Sequence, residues 1–227
     1  METCNADGKE VKVLPIQNYE TKTWLLNRHY AKRIPSISYA FGLYDDHNLV
    51  GVCTYGSPPS PSLCTGVCGE QYKDKVVELN RLILDSPKPN SASYLVSQSL
   101  KLLPKPSIVV SYADTGQGHV GYIYQATNFL YTGLSEARVD WAVKGLEHLH
   151  SKTLSEGMTL EAIQEKYGDR FYHKDRDRKH RYIIFTGSKL QKKRLQKKLN
   201  YEIEPYPKGK SKRYDASGYV ETQGVLF

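Results

Sequence analysis

Two apolar runs separated by one amphipathic stretch constrain the fold of this chain more than any other feature. Val76-Val-Glu-Leu-Asn-Arg-Leu-Ile-Leu84 reads as a buried strand, Ser91 to Leu103 as an amphipathic helix and Ser107-Ile-Val-Val-Ser-Tyr112 as a second strand. A chain that passes from strand through helix to strand has room for a crossover, so the two strands are expected to lie parallel in the middle of a sheet. Upstream, Tyr39–Tyr44 and Leu49–Tyr55 flank the turn residues Asp45-Asp-His-Asn48 and predict a hairpin. Helices are expected around Asn18 to Arg28 and Gly118 to Leu130, a closing strand at Tyr182-Ile-Ile-Phe185, and a turn-rich loop from Gly56 to Gly69. Residues 136–181 read as a polar, irregular insertion. At 227 residues the chain is long enough to bury a substantial core. The expected architecture is therefore α/β, with a mixed central sheet flanked by helices. It comprises a catalytic domain over residues 1–187, carrying the insertion at 136–181, and a basic C-terminal helix and tail over 188–227.

Charge is divided unevenly along the chain. Of 32 Lys and Arg and 24 Asp and Glu, the segment from Lys174 to Arg213 holds 15 basic and 4 acidic residues, which leaves an excess of acid elsewhere. Within it, Lys189-Leu-Gln-Lys-Lys-Arg-Leu-Gln-Lys-Lys-Leu199 follows Gly187-Ser188, a plausible N-cap, and has Leu190, Leu195 and Leu199 as a thin apolar stripe. A cationic helix with so little compensating acid is the footprint of phosphate binding. Lys192, Lys193, Arg194 and Lys197 are accordingly candidate nucleic-acid contacts. The stripe lacks Trp and Phe and is too narrow for a helix that inserts into a membrane surface.

Tyr supplies 18 aromatic residues and Phe only 5, so most rings here carry a hydroxyl suited to amphipathic packing, base stacking or proton transfer. No apolar stretch approaches the roughly 20 residues that span a bilayer. Met1 to Asp7 has no cationic region leading into an apolar core. The expectation is a cytoplasmic protein with no membrane partner, whose Cys4, Cys53, Cys64 and Cys68 are reduced thiols. Cys64 and Cys68 form a lone C-x3-C without a second ligand pair, a weak zinc signal. Gly116-Gln-Gly118-His-Val-Gly121 fits G-x-G-x-x-G, but no acidic residue closes a following strand about 20 residues on, so these glycines are read as shaping a tight turn.

The 76–103 unit resembles the donor-binding unit of the GCN5-related N-acetyltransferases. Tyr124-Gln-Ala-Thr-Asn128-Phe129 has the shape of that family's Y-x-x-x-G-F segment, whose Tyr protonates a leaving thiolate. More specific are Asn27-Arg-His29-Tyr30, Glu78-Leu-Asn80-Arg81-Leu, Tyr112-Ala-Asp114, Gly118 to Phe129 and Lys179-His180-Arg181-Tyr182, which together resemble the phage Mom DNA-modification family. The resemblance implies conversion of adenine in double-stranded phage DNA to N6-carbamoylmethyladenine, which blocks host restriction, in the cytoplasm of the host cell. It also implies an active site containing His29, Tyr30, Asp114 and Tyr124, and a possible iron site involving His29 and Asp114. Where the acetyltransferases have a glycine-rich loop this chain has Pro87-Lys-Pro-Asn90-Ser91-Ala92-Ser93. Asn90, Ser91, Ala92 and Ser93, at the start of the expected helix, are the candidate donor-binding residues through their amides and side chains.

The chemistry follows from the implied substrate. Adenine N6 is a poor nucleophile because its lone pair is delocalised into the ring, so a catalyst must take its proton as the new bond forms, which a carboxylate at a strand end suits; Asp114 is the candidate base and Tyr124 the candidate acid. N6 is paired inside duplex DNA, so the base must be exposed, and Trp141, Tyr172 and Lys179-His180-Arg181 are placed to meet bases and phosphates. His119 is a candidate for orienting substrate. The donor is read as an activated acyl or aminoacyl compound, acyl-CoA or glycyl-tRNA, which makes tRNA a possible second partner. Two other readings remain open: an acyl- or aminoacyltransferase acting on a protein or small amine, and an inactive protein of the same fold that binds nucleic acid.

Overall fold

A computed structural model describes residues 3–4, 10–85, 88–147, 149, 151–155 and 157–209. Its strands are β1 (Thr3–Cys4), β2 (Glu10–Pro15), β3 (Tyr39–Asp45), β4 (Asn48–Gly56), β5 (Val76–Leu84), β6 (Ile108–Asp114), β7 (Leu130–Leu134), β8 (Arg138–Val143), β9 (Phe171–Arg176) and β10 (Lys179–Phe185). Eight form one sheet in the order β1-β2-β3-β4-β5-β6-β10-β7, while β8 and β9 make a separate ribbon. Every neighbouring pair is antiparallel except β5 and β6, the two runs that flank the amphipathic helix. The helices are α1 (Pro61–Cys68), α2 (Ser91–Leu102), α3 (Tyr122–Ala126), α4 (Ser151–Ser155), α5 (Leu160–Tyr167) and α6 (Lys189–Gln196).

The period-two alternation of the central strands sorts the core onto two faces. Val109 and Ala113 of β6 and Leu79 of β5 pack with Leu95, Val96 and Leu100 of α2 and with Phe129, Tyr131 and Tyr182. Ile108 and Val110 face the other way, onto Val67 and Cys68 of α1, Ile183 and Phe185 of β10, and Leu195 of α6. Leu95, Val67 and Ile108 are fully buried, each contributing about 1.5–3 kcal/mol of apolar transfer. A third cluster of Trp24, Leu25, Val52 and Ile83 holds the N-terminal turns against the sheet.

Several local expectations change. The stretch 18–28 is a 3-10 turn, Asn18–Thr21, followed by a π turn, Trp24–Arg28, rather than one α-helix. The 56–69 loop contains α1, which starts with Pro61 in the first turn after Ser60 and is held by the burial of Val67 and Cys68; docking supplies what its Gly, Ser and Thr residues lack in helix propensity. The helix near 118–130 is only α3. The described residues of segment 136–181 form the β8–β9 ribbon, α4 and α5: Trp141 stacks on Phe171 at 5.7 Å, and Leu154 of α4 and Ile163 of α5 are buried beside the ribbon. Lys179, His180 and Arg181 belong to β10 of the main sheet. In α6, Leu195 is buried but Leu190 is 77% exposed, so the apolar stripe is shorter than its sequence suggests. Residues 210–227, the end of the expected basic tail, and Pro87 of the donor loop lie outside the described residues.

After α6 the chain returns across the sheet edge. The Asn200 side chain donates to the Gly66 carbonyl, the Glu204 amide to the Tyr131 carbonyl of β7, the Tyr206 hydroxyl to the Phe129 carbonyl, and the Gln125 side chain to the Pro207 carbonyl. Residues 200–207 thus strap the outer side of β7. Gly133, at φ +80, accommodates the strap, because a Cβ there would lie 2.3 Å from a Glu204 carboxylate oxygen. Among the described residues no helix is long and apolar enough to cross a membrane.

Candidate active site

The site begins where the parallel pair comes apart. Pairing of β5 with β6 runs from Val76↔Ile108 to Leu79↔Ser111 and ends there, while β5 continues beside β4 to Leu84 and β6 beside β10 to Asp114. A bulge marks the parting: the β4 register shifts so that Asn80 is the extra residue between Leu79 and Arg81. Its side chain is clamped, accepting from Thr54 Oγ1 at 2.6 Å and donating to the Ser36 carbonyl at 2.9 Å. Gly56 allows that approach, since a Cβ there would meet the Ser36 carbonyl oxygen at 1.9 Å. A pinned bulge of this kind re-aims the next side chain, here Arg81.

Polar groups converge on the parting from several elements. Arg81 Nη1 donates to the Asn80 carbonyl at 2.6 Å, while its buried Nε has no hydrogen-bond partner among the described residues. Burial pushes the Glu78 carboxyl above its ordinary value, with Arg81 and Lys179 acting in the opposite direction. From the N-terminal turns, anchored by Trp24 and Leu25, come His29 and Tyr30, stacked with ring centroids 4.4 Å apart. Burial, then Arg81, lowers His29 to about 4, which keeps the imidazole neutral, and its Nδ1 accepts from the Ala31 amide at 3.0 Å. Tyr30 is raised first by burial and then by the charge of Asp114.

Tyr124 approaches from the opposite face of the sheet, on α3, with its ring against Phe129 and Tyr182. Burial pushes its phenol up to about 12; Ser111, Tyr30 and Glu78 are among the groups it senses. Tyr30 lies within electrostatic range of both Asp114 and Tyr124. Asp114 itself is heavily engaged. Its Oδ1 accepts from the Gly116 amide at 3.0 Å and its Oδ2 pairs with Lys179 Nζ at 2.9 Å.

Beside the parting a cleft of about 400 Å³ opens between α1 and the base of the β8–β9 ribbon, with Glu78, Tyr112, Lys179 and Arg181 in its lining. The Lys179-His180-Arg181 triplet divides by strand alternation. Lys179 and Arg181 face this cleft, whereas His180 points to the other side and its Nδ1 is hydrogen bonded to the Tyr131 hydroxyl at 2.8 Å. Lys192 of α6 lies near enough to Lys105 to help burial lower the latter's pKa, which puts the first part of α6 by the start of β6, at the opposite end of that strand from Asp114. Lys192, Lys193, Arg194 and Lys197 are exposed. They offer an outlying cationic surface rather than a wall of the cleft.

At the start of α2, Asn90 adopts φ +65, the left-handed conformation for which a glycine is otherwise used, while the Ser93 hydroxyl donates to the Asn90 carbonyl at 3.0 Å. Ser91 and Ala92 begin the helix. Among the described residues the donors do not close a metal site. No group of three or more His, Cys, Asp or Glu among the described residues is spaced to hold an ion, and the Asp114 carboxylate is already ion-paired with Lys179. Cys64 and Cys68 lie one turn apart on α1 as free thiols, the latter donating to the Leu195 carbonyl. His119 donates its amide to the Asp114 carbonyl. Trp141 and Tyr172 belong to the ribbon, where Trp141 is half-buried against Phe171.

Sequence reasoning passed over Glu78 and Arg81 as functional groups, although the signal was available. A strand buried on both faces has little use for three polar residues, and Glu78, Asn80 and Arg81 interrupt an otherwise apolar run.

Residues 10–208 match the Mom protein family. The chain belongs to that family. A Mom-family relative, the methylcarbamoylase Mom of Escherichia phage Mu, is 32% identical over 214 residues, covering 88% of this chain and 85% of that protein. In three dimensions the Mom-family chain is similar to a GNAT-family acetyltransferase of Bacillus cereus ATCC 10987, with a TM-score of 0.42, 13% identity, and coverage of 78% of this chain and 99% of the other. An N-acetyltransferase of Staphylococcus aureus Mu50 is similar at a TM-score of 0.42 and 13% identity, covering 77% and 98%.

Proposed function

We propose that this chain is a DNA-modifying transferase that converts adenine in double-stranded DNA to N6-carbamoylmethyladenine, protecting phage DNA from restriction in the host cytoplasm. The observation that carries this reading is family membership over residues 10–208, a span that includes every residue at the β5–β6 parting. In the proposed reaction a bond forms between N6 and the methylene carbon of a carbamoylmethyl donor as that carbon's bond to its leaving atom breaks, the N6 proton passes to a carboxylate, and the leaving atom takes a proton from a phenol. Glu78 is the better base, because burial raises its affinity for a proton while Asp114 is occupied by Lys179 and the Gly116 amide. Asp114 then holds Lys179 and the following turn in place. Tyr30 and His29 line the approach, and Arg81, with a free buried Nε, stabilises negative charge that develops on the donor.

Tyr124, held neutral by burial, is the acid. A phenol near 12 gives its proton more readily to an alkoxide-like oxygen than to a thiolate, whose ordinary pKa is about 8.5. That difference favours a donor whose leaving atom is an oxygen over acyl-CoA. Attack on the ester carbonyl of glycyl-tRNA would give the isomer N6-glycyladenine, so the carbamoylmethyl product requires transfer at a methylene carbon. The donor's phosphates are assigned to the turn of Asn90, Ser91, Ala92 and Ser93, and the duplex backbone to Lys192, Lys193, Arg194 and Lys197. No step is routed through a metal.

The test is mass spectrometry of nucleosides from DNA of cells that express the protein. A carbamoylmethylated adenosine present with the wild type and lost with Tyr124→Phe and Glu78→Gln supports the reading; unmodified DNA in all three sinks it.

A further inference from the structure

We propose that the cleft between α1 and the base of the β8–β9 ribbon receives a single nucleotide turned out of the duplex, with its phosphates between Arg138 and Arg176 and the amino edge of its base toward Glu78. The proposal rests on DNA being the substrate and identifies where the reacting base is held.

Arg138 and Arg176 are direct register partners at the base of the ribbon. Like charges placed directly opposite one another in an antiparallel pair destabilise it, and although Glu136 and Asp177 line the same cleft they offset the pair weakly. Arg138 reaches Glu136 only at 4.0 Å, with both side chains largely exposed, and among the described residues Arg176 has no salt bridge. An anion bridging the two guanidiniums removes the penalty, and a phosphate takes two such forks well. The arginine pair is on the cleft wall, not out on the ribbon's far end.

The opposite part of the lining is suited to a flat ring. The Arg181 guanidinium lies 3.5 Å from the centre of the Tyr201 ring, and it is fixed by bonds from its Nε to Thr132 Oγ1 and from Nη2 to the Thr132 carbonyl. Arg181 therefore forms a stiff planar wall and cannot swing out as a loose phosphate hook. Leu63 and Tyr112 add apolar surface, and Glu78 reaches the same space. A volume of about 400 Å³ falls in the range of roughly 300–1,000 Å³ typical of small-ligand sites, too little for a groove that takes the stacked duplex itself. Stacking planes, a phosphate clamp and a carboxylate in one enclosure match what an extruded base needs.

The experiment uses the full chain and duplexes in which 2-aminopurine replaces adenine in each nearest-neighbour context, because this base brightens when it leaves the stack. The wild type is expected to raise the fluorescence several-fold in at least one context. Arg138→Ala/Arg176→Ala should abolish the rise, and so should Leu63→Trp, which fills the cleft and leaves every arginine in place. Circular dichroism and thermal melting check that both variants are folded. Absence of any rise with bound wild-type protein, or an undiminished rise with both variants, overturns the proposal. Nucleoside mass spectrometry on the same proteins separates the two levels: if the wild type and both variants modify DNA equally, the pocket is wrong and the function stands. If the wild type leaves DNA unmodified but extrudes the base in a manner that depends on the arginine pair, the pocket stands and the function falls.

Discussion

Lys179 Nζ lies 2.9 Å from Asp114 Oδ2, and the same two residues are register partners that close the β6–β10 ladder. The ion pair thus ties the end of β6, one side of the parting, to the start of β10, and the same lysine also pulls down the Glu78 pKa. Removing it with Lys179→Met is expected to raise the Glu78 pKa further, since a favourable positive charge is lost. The acid limb of the pH–rate profile should then move to higher pH. Profiles of modified adenosine formation for the two proteins check this, and an unmoved limb separates Lys179 from the acid–base group.

Glu78→Gln removes the proposed proton acceptor and keeps the side chain's shape. General-base catalysis contributes about 10²–10⁴-fold, so the rate of modification should fall by that order with little change in melting temperature. Asp114→Asn retains an acceptor for the Gly116 amide but weakens the ion pair; it should cost less activity than Glu78→Gln. The reverse order would return the base to Asp114.

His29 gives a stability prediction. Its folded pKa is about 4 against 6.5 for the ordinary imidazole. Between these values the unfolded chain holds the extra proton, and stability rises with pH wherever the unfolded state binds more protons. The folded state should therefore lose stability as pH falls from 6.5 toward 4. Denaturant titrations across this window should give a steeper dependence for the wild type than for His29→Asn, and identical slopes would contradict the burial of a neutral ring.

Gly121 has φ +81, and a Cβ on it would meet the Tyr182 ring at 2.4 Å. Gly121→Ala adds left-handed strain of about 1–2 kcal/mol to that collision. At roughly 2–4 °C per kcal/mol for a chain of this size, the melting temperature should drop by at least several degrees. Activity should fall too, because Gly121 begins the helix that carries Tyr124.

Replacing Lys192, Lys193, Arg194 and Lys197 by alanine should weaken DNA binding in all sequences and flatten its dependence on salt, by a slope of about 0.9 for each phosphate that is no longer neutralised. At saturating DNA the modification rate should stay near that of the wild type, because these side chains lie outside the cleft. Fluorescence anisotropy at several salt concentrations, paired with nucleoside analysis, measures both.

The central parallel pair and α2 were legible because their apolar residues are spaced at strand and helix periods and are long enough to exclude alternatives. His29, Tyr30, Asp114 and Tyr124 were singled out through motif resemblance; that Tyr30 lies within electrostatic range of both Asp114 and Tyr124 is a tertiary matter, set beside a clamped Asn80 bulge and the early end of the β5–β6 pairing. Neither leaves a local pattern. Helix α1 was hidden for a related reason, since Pro61, Ser62, Thr65 and Gly66 mark a loop until Val67 and Cys68 have a core to enter. The division of Lys179 and Arg181 from His180 required only that the strand begin three residues earlier than its apolar run.

The strap over β7 also bears on how the protein survives at high concentration. An outer strand with unmet amide and carbonyl groups invites a second copy to add itself and start a stack, and the backbone bond from Glu204 to Tyr131, together with the Glu204 carboxylate against Gly133, occupies that invitation from within the same chain. Shortening the polypeptide to end at Leu199 would remove no group from the cleft except Tyr201, yet it would leave the sheet open at that border, and such a fragment should aggregate where the intact chain stays dispersed.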